Sequence, residues 1–501
     1  MTATTALAAP RLAWRFPVLL ALVLAIMVAR TTPLPWGDVV EYMVNTVAIA
    51  DHGTPDIRVE DVGRMRTLLP GLFVEPYDQL ERGLRDPAEP LLTGFVRGRD
   101  GDVFAIHFFG YSLLAALPFK LYEALGLPPF KAYLTVHAAA LFVLGLALRR
   151  FFRSDLKAWA GLALFMLCGG MLYLRWTNPE CLSAALLLAG LLFFTSGAPI
   201  AGGVLAGIAS LQNPTIVFFF GFAPLFKLLL DYDRARSFGA NLRATLSRRT
   251  VAGLAAGMAV FALPPLFNLW QFGVPNIIAT LFSDAGLVGG TRLASFYFDL
   301  NQGMIIGIPG VALALLLSLR QRAGIVLLAL LFTLVLAVPT MAVLNWNSGA
   351  AGVMRYAFWA SMAFLFALLA ILRSQARWPR VLVGGAMALQ LAAMLHAQSY
   401  TYIEFSPAAR LMLAHAPQRY HPEPEIFGER TTHTDDYTIR PQQVFTLALG
   451  DTVKTLVNDA NPHRDAQLCG AGKVLAPGLP QVASTGGWRY IDGPLRCVAA
   501  P

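Results

Sequence analysis

Charge is what this 501-residue chain has least of: Asp, Glu, Lys and Arg together supply 14% of it, against 56% hydrophobic residues. That composition excludes an ordinary globular domain, in which about a quarter of the residues are charged. Cysteine is just as scarce, at four residues. A disulfide-built scaffold is excluded by that count, and the lack of any Cys-x-x-Cys or His-Glu-x-x-His spacing removes the common zinc motifs. No small-residue cleavage site follows Met27-Val28-Ala29-Arg30, so the first apolar run reads as a retained anchor and not as a cleaved signal. No sustained internal repeat is present, which weighs against a transporter built from duplicated halves.

What is there is hydrophobicity in long runs, with a mean hydropathy of +0.56. Runs of roughly 17 to 25 residues, enough to cross about 30 Å of hydrocarbon, recur at 13–30, 131–148, 158–174, 214–230, 250–270, 303–319, 324–343, 354–372 and 381–397. Shorter runs at 180–196 and 199–212 complete a set of eleven. The net charge of +9 sits on arginines in the short segments between runs, which is how membrane topology is written and not a nucleic-acid footprint. With Arg11 and Arg15 in the cytoplasm, Arg149, Arg150, Arg153 and Lys157 fall inside, followed by the Arg234–Arg249 loop, Arg320 and Arg322, then Arg373, Arg377 and Arg380. Every short basic loop is then on one side, as the positive-inside bias requires.

The segment Phe104–Glu123 resists this bookkeeping, because counting it as a twelfth span would put Arg149 and Arg150 outside. It carries His107 and Lys120 and is interrupted by Pro118, which suits a re-entrant or interfacial helix beside a wet cavity. Two large pieces fall on the non-cytoplasmic side, residues 31–103 and 398–501. The first holds a heavy share of the chain's carboxylates, and a loop of that length is usually functional. The second loses the apolar runs and gains Pro, His and Asp, as in Pro422-Glu423-Pro424-Glu425 and Thr431-Thr432-His433-Thr434-Asp435-Asp436, so a compact domain of mixed structure is expected from near residue 400. Cys469 and Cys497 both lie there; they are either a disulfide or two free thiols.

Asp38, in Trp36-Gly37-Asp38-Val39-Val40-Glu41-Tyr42 just past the first run, is the leading functional candidate, since an ionisable group beside the bilayer is costly to desolvate. Together with Tyr42 it is similar to an Asp-Glu-x-x-Tyr element of the GT-C type integral-membrane glycosyltransferases, with Val39 in place of the acidic second residue and Glu41 nearby. His107-Phe108-Phe109-Gly110-Tyr111-Ser112 resembles that group's Pro-Pro-Gly-Tyr element at Gly110 and Tyr111, without the prolines. Thr177-Asn178-Pro179-Glu180 resembles its acidic element at the outer end of a later helix, and Gly352-Val353-Met354-Arg355-Tyr356 its late Arg-Tyr element. The resemblance covers residues 13–400 as a hydropathy and loop pattern, and lies nearest the protein O-mannosyltransferases and aminoarabinose transferases.

It implies an all-α polytopic membrane protein with a GT-C-like fold: 11–12 transmembrane helices, a large first periplasmic loop and a small C-terminal periplasmic domain of mixed structure. Residues 1–397 would form the catalytic membrane domain, with 31–103 as its first loop, and 398–501 the periplasmic domain. The implied protein is multi-pass in a bacterial inner membrane with its active site facing the periplasm. It would transfer a sugar from a polyprenyl-phosphate carrier to a cell-envelope glycan, lipid or protein. Membrane lipids are its other partners, and nucleic acid is not one. Metal use varies within the group, so a magnesium or manganese ion is left open.

Glycosyl transfer passes through an oxocarbenium-like state, so a single displacement needs a carboxylate for the acceptor's proton and cations for the departing phosphate. Asp38 takes the first role, with Glu41 and Glu180 assisting. Arg355 takes the second, because its planar fork matches phosphate oxygens. Tyr356, Tyr42, His107, Tyr111, Lys120, Asn178 and Arg292 complete the substrate-binding candidates. Each has a plainer reading. Asp38 could cap the helix suggested by Val39 to Ala50, Glu180 could sit in a first helical turn, and Arg355 and Lys120 could snorkel to the interface. His107 could be a satisfied interfacial histidine. The loop 271–302, with Gly286-Leu287-Val288-Gly289-Gly290-Thr291-Arg292 and Phe296-Tyr297-Phe298, is either a lid over bound substrate or an aromatic belt. The rival functions are a flippase for lipid-linked sugars and a glycan polymerase or ligase.

Overall fold

The computed structural model describes residues 14–347, 352–375, 378–435, 439–450 and 452–500. Arg11, Arg377 and Asp436, used in the sequence reading, lie outside the described residues. In hydrocarbon a backbone must satisfy its own hydrogen bonds, and runs rich in Leu, Ala, Phe and Val do so as helices. Among the described residues seven helical stretches are long and apolar enough to cross a membrane: Lys131–Phe152, Asp155–Tyr173, Pro214–Asp231, Arg248–Phe272, Pro309–Thr340, Arg355–Arg373 and Arg380–Ala397. The fifth is broken at Arg322, where φ −134° and ψ 31° leave the helical region, so it contains both runs expected at 303–319 and 324–343. Shorter helices Arg15–Arg30, Glu180–Thr195 and Pro199–Ser210 account for the remaining runs. The chain is a polytopic helical membrane protein, and all eleven runs are helical.

Phe104–Glu123 is not one continuous segment. Phe104 and Ala105 belong to strand β2 (Val103–Ala105), paired antiparallel with β1 (Phe95–Arg97), and the helix starts only at Gly110 and ends at Ala124. Its 15 residues reach about 22 Å at 1.5 Å per residue, short of a full span. The cause is the pairing with Phe95–Arg97, which hydropathy alone cannot register. Between the helix Arg15–Arg30 and this hairpin the chain folds into helices Val39–His52, Val59–Leu68 and Val74–Arg85. Many of the acids of this loop are spent on surface pairs, such as Arg66 with Asp78 at 2.7 Å and Arg85 with Glu81 at 2.7 Å.

After Ala397 the chain builds a separate core from Phe405, Leu413, Phe427, Leu456, Trp488 and Tyr490. Its antiparallel sheet has the order β3-β4-β7-β6, where β3 is Phe445–Leu449, β4 Thr452–Asn458, β6 Gln481–Ala483 and β7 Trp488–Asp492. The β-branched residues of Thr452-Val453-Lys454-Thr455-Leu456-Val457 suit a central strand. A second pair joins β5 (Lys473–Leu475) to β8 (Cys497–Ala499), and a Cys469–Cys497 disulfide with Cα atoms 5.6 Å apart ties β8 to the end of the helix Arg464–Cys469. The helix Pro424–Thr432 packs this part onto the membrane part through buried charge. Arg292 Nε donates to Glu423 at 3.0 Å and its Nη2 to Glu425 at 3.4 Å.

Candidate active site

The site is seated by two loops that meet just ahead of two helices. The Leu34 amide donates to the Arg175 carbonyl at 2.6 Å, the Thr177 amide to the Leu34 carbonyl at 3.3 Å, and Asn178 Nδ2 to the Trp36 carbonyl at 2.9 Å. Gly37 makes this approach: its φ of +73° is left-handed, and a Cβ there would lie 2.7 Å from the Trp176 ring and 2.8 Å from the Asn178 amide. The contact draws the start of Val39–His52 toward the start of Glu180–Thr195. Asp38 and Glu180, at those two starts, both open onto one cavity.

Asp38 occupies the N-cap position of Val39–His52, yet its side chain makes no capping hydrogen bond. It faces Arg355, whose Nη1 donates to Asp38 Oδ2 at 2.7 Å. Arg355 is buried, donates from Nη2 to the Asn345 carbonyl at 3.3 Å and lies over the Tyr356 ring at 5.0 Å. It does not snorkel into lipid. His107 bridges the two acids of the first element, with Nδ1 2.7 Å from Glu41 and Nε2 3.8 Å from Asp38. Tyr42 stands against His107 at 5.3 Å and edge-on to Tyr111 at 5.4 Å. Glu41 is covered by Gly94, whose φ of +96° and missing Cβ leave room for the carboxylate; a Cβ would come within 2.4 Å of it. Glu180 is buried, and its Oε2 has no hydrogen-bond partner among the described residues.

Electrostatics divide the roles. Burial would raise Asp38, but the Arg355 guanidinium and then His107 outweigh it and hold the carboxyl below its ordinary value. Burial dominates at Glu41 and raises it, with His107 offsetting part of the effect. At His107 burial acts downward, yet the Glu41 carboxylate and then Asp38 prevail and lift the imidazole to about 9. Near neutral pH His107 is therefore a cation, and Asp38 an ionised carboxylate between two positive partners.

Two cavities meet at this cluster. One, of about 570 Å³, lies under the first loop and is walled by Glu41, Thr93, Gly94, Asn345 and Asp435. The other, of about 400 Å³, lies among the ends of the membrane helices, with Glu180, Asn213, Phe261, Asn268 and Trp359 in its wall. Asp38, His107, Arg355 and Tyr356 line both. Among the described residues no group of three His, Cys, Asp or Glu is arranged to hold a metal ion.

Four candidates stand apart from the cavities. Lys120 pairs with Asp51 at 2.5 Å and Glu123 at 3.3 Å, on the outer face of its helix. Arg292 is consumed by Glu423, Glu425 and the carbonyls of Met341 and Val343, so it ties the C-terminal part to the loop 341–347. Tyr111 and Asn178 are buried supports. Tyr111's hydroxyl lies 2.9 Å from His137 Nε2, and His137 also approaches the Leu174 carbonyl at 2.9 Å and the Asn178 carbonyl at 3.1 Å. Sequence reasoning missed His137, which looks unremarkable inside an apolar run, and Gly94, one glycine among 43. It also missed the prolines at 214, 264, 265, 275 and 339 that, with Pro179, rim the smaller cavity; prolines at the ends of apolar runs were a readable signal of helix ends. The loop 271–302 contributes to the cavities through Pro275–Ser283 and not through its glycine-rich half.

No family model matches the sequence, and no curated protein matches it. Among solved structures the chain is similar to ArnT from Cupriavidus metallidurans, determined bound to undecaprenyl phosphate. The identity is 16%, the match covers 77% of this chain and 63% of that one, and the TM-score is 0.42.

Proposed function

We propose that this chain is a membrane glycosyltransferase that moves a sugar from a polyprenyl-phosphate carrier to a cell-envelope glycan, lipid or protein on the periplasmic face of the bacterial inner membrane. The observation that carries the reading is the Asp38–Arg355 pair, 2.7 Å apart in the wall common to two cavities. A carrier rising from the membrane suits the cavity among the helix ends; an acceptor suits the cavity under the first loop. In the reaction the bond from the sugar C1 to the carrier phosphate breaks as the acceptor oxygen bonds to C1. The acceptor's proton passes to Asp38, and polyprenyl phosphate leaves. Because Asp38 is held below its ordinary pKa it is a weak base, suited to orienting the hydroxyl and taking the proton late. Arg355 and the His107 cation supply positive charge for the departing phosphate, with Tyr42 and Tyr356 framing it. Glu180 faces the carrier side.

The test is reconstitution of the purified protein with carrier-linked sugars extracted from cell envelopes. Release of free polyprenyl phosphate and a matching mass gain on an envelope acceptor is the expected result, with deletion of the gene removing one sugar from the envelope. Passage of the carrier-linked sugar across the bilayer with no bond broken would sink the reading in favour of a flippase. A chelator should leave the rate unchanged, since arginine and histidine carry the phosphate; loss restored by magnesium or manganese would give that role to a cation.

A further inference from the structure

A third cavity, of about 390 Å³, lies at the opposite end of the membrane helices from Asp38. Three stretches connect the two ends. Arg355 begins a stretch whose far end carries Ala370 and Ile371 in this cavity, about 23 Å away at 1.5 Å per residue. Thr340 lines the smaller cavity of the candidate site, and Gly324, at the start of the same half-helix, lines this one. Thr215 and Leu229 mark the two ends of Pro214–Asp231 in the same way. The separation is about three-quarters of the roughly 30 Å of a hydrocarbon core, which with the basic rim sets the third cavity toward the other membrane surface.

Its chemistry has two halves. Leu229, Leu230, Ile325, Ala370 and Ile371 make an apolar wall, and Arg234, Gln321, Arg322 and Ser374 make a polar rim. Arg322 sits at the break in Pro309–Thr340 and donates from Nη2 to Ser374 Oγ at 3.2 Å. Neither Arg234 nor Arg322 forms an ion pair among the described residues. The neighbouring acids are engaged elsewhere, Asp231 with Lys227 at 2.5 Å and Asp233 with Arg236 at 3.0 Å. Two guanidinium groups without an ion-pair partner among the described residues, over an apolar cleft toward a membrane surface, are complementary to one kind of molecule, with an anionic head and hydrocarbon tails.

We infer that this cavity binds an anionic phospholipid of the leaflet opposite the candidate site, its phosphodiester on Arg234 and Arg322 and an acyl chain along Leu229 and Ile325. By the charge pattern of the loops, that leaflet is the cytoplasmic one. The site is independent of the catalytic proposal and needs no substrate to examine.

The experiment is native mass spectrometry of the full chain in detergent with added phosphatidylglycerol, phosphatidylcholine or inorganic phosphate. Phosphatidylglycerol should be retained in preference to phosphatidylcholine. The double variant Arg234→Gln/Arg322→Gln should weaken retention about tenfold or more, from the loss of two cations near the surface. Arg248→Gln/Arg249→Gln, which removes equal charge from the adjoining basic loop, should leave it unchanged. Leu229→Trp, which fills the cleft and keeps both arginines, should weaken it too. Thermal melting without lipid checks that each variant is folded. Equal loss from both arginine pairs would reduce the effect to bulk charge and overturn the site. Equal retention of phosphatidylcholine, or displacement by inorganic phosphate at matched concentration, would overturn the lipid assignment.

Discussion

Asp38 and Arg355 are 317 positions apart in the chain and 2.7 Å apart in space, so a change at either is felt by the other. Asp38→Asn keeps the side chain's size and removes the proton acceptor. Transfer should fall by about a hundredfold to ten-thousandfold with protein abundance near normal, measured as sugar transfer against membrane-inserted protein; near-normal transfer would remove Asp38 from the chemistry. Arg355→Lys keeps the charge and loses the planar fork, so it should lose much of the activity while retaining the fold. His107 gives a different handle, facing Glu41, Asp38 and Arg355. Its value in the folded protein, about 9, stands above the ordinary 6.5, so the proton it binds favours the folded state. That contribution is complete below pH 6.5 and is lost as pH rises through about 9. The difference in melting temperature between wild type and His107→Gln should accordingly be widest in the acid range and close above pH 9; a constant difference would refute the charged pairing. Asp38, Tyr42, His107, Glu180 and Arg355 were readable from short motifs because each sits at a helix end or loop beside a long apolar run. Lys120 and Arg292 have the same chemistry in the same kind of setting, and only their distant partners, Asp51 and Glu423, turn them from the cavity. No local pattern carries that information.

Among the elements, the long helices were legible because hydrophobicity over about 18 residues needs no partner to be recognised. The β1–β2 hairpin was not, since its pairing of Phe95 with Ala105 is what diverts the apolar Phe104 from a helix. That hairpin holds Gly94 at its edge, over Glu41. Gly94→Ala should therefore act through geometry, as its φ of +96° disfavours a side chain and the new Cβ would strike the Glu41 carboxylate. A loss of roughly 1–2 kcal/mol of stability is expected from the backbone alone, read as a lower melting temperature. Transfer activity should fall further than stability explains, because Glu41 positions His107. Gly53→Ala, also at positive φ but with open space around it, is the control: it should reproduce the backbone cost and spare the activity.

The whole molecule is a membrane bundle with a small mixed domain after it. Its direction through the bilayer is an expectation of the charge pattern: eleven runs crossing from a cytoplasmic start would put the tail outside. A reporter fused after residue 501 that works only in the periplasm should be active, and a cytoplasm-only reporter silent; the reverse would move the tail, and Asp38 with it, across the membrane. Arg292→Gln should cost about 3–5 kcal/mol, since it strands the buried Glu423 and Glu425, and should loosen the tail from the bundle as read by limited proteolysis.

That junction also sets an order of events in the protein's own birth. The loop 341–347 supplies the Asn345 carbonyl to Arg355, and the same loop is held by Arg292 through Met341 and Val343 and by Glu425 through the Asn347 amide at 2.7 Å. Synthesis runs from the amino terminus, so the helix Pro424–Thr432 is made after every membrane helix. Until that late piece docks, the Arg355 loop lacks the Glu425 contact and keeps its bonds to Arg292, Phe282 and Asp284. A chain lacking that contact would carry Asp38, His107 and Arg355 with the Arg355 loop only half held, so the site is fully ordered only once the C-terminal part is in place.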